Sequence, residues 1–165
     1  MADDAACVVE SIVAAPTRPG YVQVMVAGEV YILDMTAFAA LGLKAGDRLT
    51  PAQLTSLRFQ STLSQVKDRA LRLLTFRALT ERELRDRLRQ QDSPADVIDQ
   101  VILWLRELGY LDDRSYAVRW VQERAQGRGY GPVRLRYELL QKGVAPEYID
   151  EALALLSPEE YEQIA

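Results

Sequence analysis

Arginine side chains at helical spacing are the groups of this chain best suited to bind another molecule. Arg82, Arg85 and Arg89 recur on one predicted helix. Because each helical residue turns by ~100°, their guanidinium groups lie within ~60° of one another. Leu84 and Leu88 share the opposite face, as in a helix that packs on one side only. A guanidinium fork fits carboxylate or phosphate oxygens, although a solvated helix face would show the same pattern.

A second group of polar and aromatic residues follows in a glycine-rich stretch. Glycines alternate through residues 127–131 around Arg128 and Tyr130, and Pro132 then starts a predicted helix that carries Arg134. A glycine-rich run before a helix can bind phosphate. The spacing differs from that of a P-loop, however, and no Gly-Lys-Ser/Thr follows. We therefore expect a flexible joint that presents Arg128 and Tyr130.

Two absences exclude several kinds of enzyme and metal site. The chain has no histidine, which excludes Ser-His-Asp and Cys-His catalysis and every histidine-ligated metal site. Cys7 is the single cysteine, so no internal disulfide can form, which fits a reducing cytoplasm. The carboxylate pairs Asp112-Asp113 and Glu159-Glu160 are adjacent at predicted helix starts, where side chains do not face each other. We expect a protein that is not an enzyme.

Length, composition and charge indicate a folded protein of one or two domains. Its 165 residues are 48% hydrophobic and 27% charged. The acidic N-terminus does not resemble an export signal, and no apolar run reaches the ~18 residues of a membrane span. The net charge of −4 is uneven: residues 1–57 carry −3, residues 58–142 carry +5 and residues 143–165 carry −6.

The first part of the chain is predicted to form a small β-rich domain, residues 1–57. β-Branched runs predict strands at Val8–Val13, Tyr21–Val26 and Glu29–Leu33, the last two joined by an Ala-Gly turn. A short helix is expected at Met35–Leu41, ended by Gly42.

The rest of the chain is predicted to be helical, with a repeat of 51 residues. Glu83–Leu88 aligns with Arg134–Leu139, and Asp96–Asp99 aligns with Glu147–Asp150. Thr80–Glu83 fits a capping box at the start of the first middle helix. The helix starts at Pro94 and Pro146 lie within one residue of the same register, and the loops align as well. The sequence therefore predicts a mainly α fold, in which tandem three-helix repeats form an elongated arc after the β-rich domain. The expected domains are residues 58–111, residues 112–156 and a possible third-repeat start or stub at 157–165.

Several side chains have predicted places in these repeats. Trp104 and Trp120 are expected in the core, and Tyr110 and Leu111 are expected to fill the junction between the repeats. Arg136 falls nearer the apolar arc of its helix and is expected to lie at the edge of that arc.

The repeated segments resemble the RecX family, bacterial regulators of the RecA recombinase. The resemblance covers about 90 of the 165 residues and is carried by residues 70–74, 80–88, 101–113, 131–143 and 149–153. The Gly-Tyr-Leu-Asp-Asp junction at residues 109–113 and the Arg-Leu…Glu-Leu…Lys-Gly run within residues 134–143 are specific in combination.

This resemblance implies three-helix repeats, usually three, and a protein that docks in the groove of the RecA–DNA filament. There it would inhibit strand exchange and ATP hydrolysis and limit filament growth, in the context of DNA repair, recombination and the SOS response. No cofactor is implied, and we expect a monomer in the cytoplasm. The residues expected to contact the partner are Arg77, Arg82, Arg85, Arg89, Arg128, Tyr130 and Arg134.

A second hypothesis is a protein that binds DNA directly. Three-helix units with a short turn before a helix resemble helix-turn-helix domains, whose arginines bind phosphates or a groove. The net negative charge and the lack of a lysine-rich arm count against this alternative. Weak, salt-sensitive phosphate binding is compatible with both hypotheses.

Overall fold

The computed structural model of the chain describes residues 7–157, and the chain divides into two compact units, Met1–Arg69 and Ala70–Ala165. The fold is mainly helical, with tandem three-helix repeats after a small antiparallel sheet, which confirms the predicted fold class. The elements are β1 (Val9–Ala14), β2 (Tyr21–Val26), β3 (Glu29–Asp34), α1 (Met35–Leu41), α2 (Pro51–Phe76), α3 (Glu81–Gln90), α4 (Ala95–Glu107), α5 (Asp113–Arg128), α6 (Pro132–Gln141) and α7 (Pro146–Ala154).

The sheet has the order β1-β2-β3, and the predicted hairpin joins β2 to β3. Its two turn residues, Ala27 and Gly28, have φ values of 50° and 76°. Positive φ at both positions is typical of a type I′ turn, whose twist matches that of the flanking strands. Ala27 therefore adopts a left-handed conformation that favours glycine or asparagine.

The open edge of β3 is covered by hydroxyl groups of α2. The backbone N–H of Ile32 donates to Ser61 Oγ at 3.0 Å, and that of Asp34 donates to Ser64 Oγ at 3.1 Å. Both serines are buried. Because buried N–H groups must find acceptors, the serines replace the missing neighbouring strand.

α2 is one continuous helix from Pro51 to Phe76. Thr50 and Gln53 exchange reciprocal hydrogen bonds at its start. The helix passes unbroken through the predicted domain boundary at residue 57, and the division of the chain into its two compact units falls between residues 69 and 70. The predicted domain limits stay a prediction.

The two repeats are built alike. The short middle helix of each buries two leucines, Leu84 and Leu88 in α3 and Leu135 and Leu139 in α6. In the first repeat, α3 packs against α4, which buries Ile98 and Ile102 among others. In the second, the leucines of α6 join a core cluster from α5 and α7 that includes Ile149. The leucine spacing of four residues therefore placed both inner faces correctly.

Several predicted placements need correction. α5 continues through Gly127 to Arg128, so the joint begins only at the left-handed Gly129. Trp104 and Trp120 are partly buried and not enclosed core residues. Leu111 fills the junction with 4% exposure, but Tyr110 is 61% exposed because its ring points to solvent. The expected third-repeat start lies outside the described residues from position 158 onward.

Candidate functional site

The α3 arginines are positioned by a well-defined helix start. Thr80 Oγ1 accepts from the N–H of Glu83, and the Glu83 carboxylate accepts from the N–H of Thr80, which completes the predicted capping box. The cap fixes the first turn of α3, and the buried Leu84 and Leu88 fix its rotation. The opposite face is thereby held against the second repeat.

That face borders a cavity of about 940 Å³ between the two repeats, which we call the seam cavity. It brings together Arg82, Arg85 and Arg89, as the sequence predicted. Two further arginines, Arg106 and Arg114, join them without having been singled out. The remaining lining residues are Glu81, Asp86, Gly109, Leu111, Asp112, Asp113, Gly143, Ala145 and Tyr148. With five arginines and four carboxylates, the cavity is of mixed charge.

Arg85 differs from its two neighbours because its guanidinium is already bound within the first repeat. It pairs with Asp99 on α4 and lies 3.4 Å from Glu81 on its own helix. The hydrogen bond that it donates to Asp99 is the main cause of its raised pKa. Arg136 and Asp150 form the same pair 51 residues later. The pair is therefore a repeated structural element.

Arg82 and Arg89 remain exposed on the cavity wall. Arg89 has one weak partner, Asp86, at 3.7 Å with both side chains more than half exposed. Exposed pairs of this kind contribute little energy. Arg89 can therefore turn toward a ligand without breaking the fold.

The two repeats are joined by a set of hydrogen bonds that we call the latch. Thr80 Oγ1 donates to the carbonyl oxygen of Lys142 at 2.6 Å, and Lys142 Nζ donates to Glu83 Oε1 at 2.7 Å. Asp113 Oδ1 accepts from the N–H of Glu81 at 3.0 Å. Thr80 and Glu83 thus cap α3 and hold α6 with the same side chains, so the cavity walls are fixed relative to each other.

Gly143 lets the repeats approach this closely. A Cβ atom at this position would lie 2.3 Å from Cδ of Arg82, well inside contact distance. The residue also has a φ of 79°, which disfavours any L side chain. The glycine that the sequence marked as a helix stop therefore has a second role in packing.

Burial and hydrogen bonding shift three ionisable groups at the latch. Burial alone would raise the pKa of Glu83, but hydrogen bonds from Lys142 and the Thr80 N–H outweigh it and lower that pKa. Burial raises the pKa of Asp113. Burial, with the nearby charge of Glu83, raises the pKa of Tyr116 to about 12. Protonation in acid therefore has opposite effects on the two carboxylates that join the repeats. It removes a stabilising charge at Glu83, whereas at Asp113 it removes the cost of a buried charge.

A second concave surface lies along α5 and α6, with a volume of about 590 Å³. We call it the aromatic groove. It collects the other predicted group, Arg128, Tyr130 and Arg134. The groove has further lining residues that the sequence did not assign to a binding surface, namely Glu83, Trp120, Arg124, Tyr137, Glu138, Gln141 and Lys142.

The groove wall is a series of rings and cations in contact. Trp120 stacks on Tyr116 with ring centroids 5.7 Å apart. The Arg124 guanidinium lies 3.2 Å from the Trp120 centroid, and that of Arg134 lies 3.5 Å from the Tyr130 centroid. Such cation–π contacts hold the guanidinium groups in place. The Trp120–Arg124 spacing of four residues in a helix was the sequence signal that could have revealed this wall.

Glu138 holds three of these wall residues together. Its carboxylate accepts from Trp120 Nε1 at 3.1 Å, and it lies 3.5 Å from Arg124 Nε and 3.3 Å from Arg134 Nε. One carboxylate thus forms ion pairs with two guanidinium groups, so Glu138, Arg124 and Arg134 together carry a surplus positive charge.

Arg77 joins neither group directly. Its guanidinium lies 3.8 Å from Glu83, and it lines a smaller hollow that shares Trp120 and Arg124 with the aromatic groove. The seven predicted contact residues therefore divide between two places. Arg82, Arg85 and Arg89 face the seam cavity, and the others lie in or beside the aromatic groove.

Residues 7–157 contain no group of three or more His, Cys, Asp or Glu residues placed to hold a metal ion. In the same part of the chain, no helix is long and apolar enough to cross a membrane.

Comparisons with known proteins find similarity to one family. Residues 67–105 match the family model "RecX, first three-helix domain", and residues 112–153 match "RecX, second three-helix domain". The regulatory protein RecX of Caldanaerobacter subterraneus subsp. tengcongensis is 31% identical over 140 residues, which cover 84% of this chain and 71% of that protein. The Cronobacter sakazakii protein of the same name is 40% identical over 106 residues, which cover 58% of this chain and 63% of that protein.

Other relatives are considerably longer than this chain. The match spans 60% of the Lacticaseibacillus paracasei regulatory protein RecX and 50% of the Geobacillus one. Among solved structures, a crystal structure of regulatory protein RecX has a TM-score of 0.83 at 23% identity, covering 95% of this chain and 77% of that one. RecX from Lactobacillus salivarius has a TM-score of 0.60 at 27% identity, covering 62% and 67%. The first of these likenesses establishes the fold.

Proposed function

This chain belongs to the RecX family of regulatory proteins, and from that premise we propose that it is a negative regulator of the RecA recombinase. It binds in the groove of the RecA–DNA filament, where it inhibits ATP hydrolysis and strand exchange and limits filament growth. The predicted contact residues Arg77, Arg82, Arg85, Arg89, Arg128, Tyr130 and Arg134 are part of this proposal.

The seam cavity is the observation that supports this function best. Two exposed guanidinium groups, Arg82 and Arg89, stand on a wall whose rotation is fixed by the α3 core and whose distance from the second repeat is fixed by the latch. A preorganised site loses little entropy on binding. Carboxylate or phosphate groups on a filament surface are suitable ligands for these arginines.

Arg85 acts differently from its neighbours in this proposal. Since it is bound to Asp99 and Glu81, reversing its charge would disturb the first repeat as well as any contact. In addition to its proposed contact with the partner, Arg85 holds α3 and α4 together through Asp99. A test of partner binding therefore has to leave Arg85 unchanged.

The test is ATP hydrolysis by RecA on single-stranded DNA, measured while this chain is titrated. We expect inhibition by the unaltered chain and an inhibitory concentration raised about tenfold or more by R82E/R89E, because two favourable charge contacts become repulsive. The matched control is K44E/R48E, which reverses two exposed charges of the first unit and should inhibit normally. Unchanged inhibition by R82E/R89E would refute the contact assignment.

Direct action on DNA is the competing function, and the charged, aromatic groove on α5 and α6 favours some contact with nucleic acid. The two functions differ in the concentration at which they operate. A filament regulator inhibits well below the concentration needed to bind free DNA. A DNA-binding protein inhibits only where it coats the DNA, with a steep dependence on salt.

A further inference from the structure

We propose that the aromatic groove binds a single strand of nucleic acid, whose phosphates contact Arg128 and Arg134 and one of whose bases stacks on Tyr137. This inference concerns binding by the chain alone and does not depend on the proposed function. It rests on the charge of the groove, on its fixed guanidinium groups and on one open ring.

The groove has more cations than its carboxylates can neutralise. Arg124, Arg128, Arg134 and Lys142 face only Glu83 and Glu138. Each carboxylate is already shared, Glu138 between two arginines and Glu83 between Lys142 and Arg77. Arg128 has no ion pair or ring contact within residues 7–157. A surplus of positive charge in a concave surface concentrates polyanions.

The guanidinium of Arg134 is prepared for a phosphate. Its flat face lies 3.5 Å from the Tyr130 centroid, while its side chain is 57% exposed. Its Nε–H donates to Glu138 at 3.3 Å. Stacking on a ring leaves the in-plane N–H donors of the two terminal nitrogens open to a ligand. Because the ring fixes the side chain beforehand, binding requires little further ordering.

Tyr137 provides the open ring. It is 63% exposed and lines the groove, whereas Trp120 and Tyr130 are each covered by a guanidinium. Val133 and Leu140, exposed by 85% and 41%, lie on the same face of α6 beside it. Base stacking on an exposed ring is available to an unpaired base but not to one enclosed in a duplex. The groove therefore favours a single strand.

The seam cavity lacks both the surplus of positive charge and the exposed ring, which makes it a suitable comparison. Its five arginines face four carboxylates, and its one ring, Tyr148, lies 5.2 Å beneath the guanidinium of Arg114. A ligand attracted by charge alone would distinguish the two surfaces weakly. A ligand that also stacks would prefer the aromatic groove.

The experiment is fluorescence anisotropy of labelled oligothymidylate and oligouridylate, which form no base pairs, titrated with the full chain. We expect R128E/R134E to weaken binding at least about tenfold and to reduce the salt slope by ~0.7 for each phosphate that is no longer bound. R82E/R89E is the matched control and should change affinity much less. R128E alone leaves the interactions of the groove wall intact, and it repeats the test if the double variant fails to fold by circular dichroism.

Stacking is tested by Y137A against Y110A, since the two tyrosines are similarly exposed and only Tyr137 lines the groove. Y137A should weaken binding between about fivefold and a hundredfold, and Y110A should not. An unlabelled duplex should compete poorly. Equal losses of affinity in R128E/R134E and R82E/R89E would overturn the proposal, and so would an unchanged affinity in Y137A. Equal competition by the duplex, or no binding of either oligonucleotide, would overturn it as well. The ratio of the affinities for oligothymidylate and oligouridylate shows whether the groove prefers DNA or RNA.

Discussion

Single residues between the two repeats have structural roles that the sequence reveals only in part. Gly143 is recognisable as a helix stop, but its close approach to Arg82 depends on a residue 61 positions earlier. Arg85 falls on the predicted outer face, yet the Asp99 that binds it comes from the next helix. Helical spacing gives the direction of a side chain but not its partner across the fold.

Gly143 allows a prediction at this scale. G143A should lower the free energy of unfolding by about 1–2 kcal/mol for the left-handed backbone alone, and by a further amount for the displacement of Arg82. G109A supplies the control, because Gly109 has a φ of 76° and open space around it. Chemical denaturation of both variants measures the difference. Truncation of Arg82 to alanine should reduce this difference only in part, because Cβ of Arg82 itself would lie 2.6 Å from the added atom. Equal losses of unfolding free energy in G143A and G109A would show that the close approach of residue 143 to Arg82 has no effect on stability.

At the scale of elements, the sequence predicted nearly everything that local patterns control. The three strands, the capping box of α3 and the proline start of α6 agree with the structure. The errors lie where local signals compete. Gly127 was interpreted as part of a loop, but a single glycine costs a helix only ~1 kcal/mol, and the packing of α5 outweighs that cost.

The hairpin turn offers a test at this scale. Ala27 has a φ of 50° in a type I′ turn, where asparagine is favoured. A27N should therefore stabilise the sheet by about 1 kcal/mol, seen as slower amide hydrogen exchange in β2 and β3. G28A should have the opposite effect, because Gly28 has a φ of 76°. Faster exchange in A27N would contradict the turn assignment.

At the scale of the whole molecule, the internal repeat was the most informative feature of the sequence. It predicted two three-helix repeats and placed Arg85 and Arg136, with Asp99 and Asp150, at equivalent positions, where the structure shows equivalent ion pairs. It did not predict the two concave surfaces. These depend on how one repeat packs on the next and on how α5 faces α6, and the distances across those interfaces are not encoded in any local period.

The latch between the repeats predicts opposite pH effects for two variants. Because the pKa of Glu83 is lowered in the folded chain, its carboxylate adds stability above pH 4.5, and that stability is lost as the pH falls through the folded pKa. E83Q should thus be less stable than the unaltered chain at neutral pH and should converge with it in acid. Glutamine keeps an oxygen for the Thr80 N–H, so the change tests the charge.

For Asp113, the expected effect of pH on stability has the opposite sign. Its pKa is raised above 3.8 by burial, so the ionised form costs stability at neutral pH and protonation removes that cost. D113N should be at least as stable as the unaltered chain at neutral pH and should lose this advantage below pH 3.8. Denaturant unfolding across the acid range measures both variants. Parallel pH profiles for E83Q and D113N would contradict the assignment of these two carboxylates.

The serine hydroxyls on α2 have a consequence for association. An uncovered edge strand offers its N–H groups to any extended chain and so promotes polymerisation of sheets. In this protein, Ser61 and Ser64 occupy the outward donors of Ile32 and Asp34. A foreign strand would have to displace a helix before it could add to β3. Two small hydroxyl groups therefore protect this edge against aggregation, a protection that a hydrophobic residue of similar size could not provide.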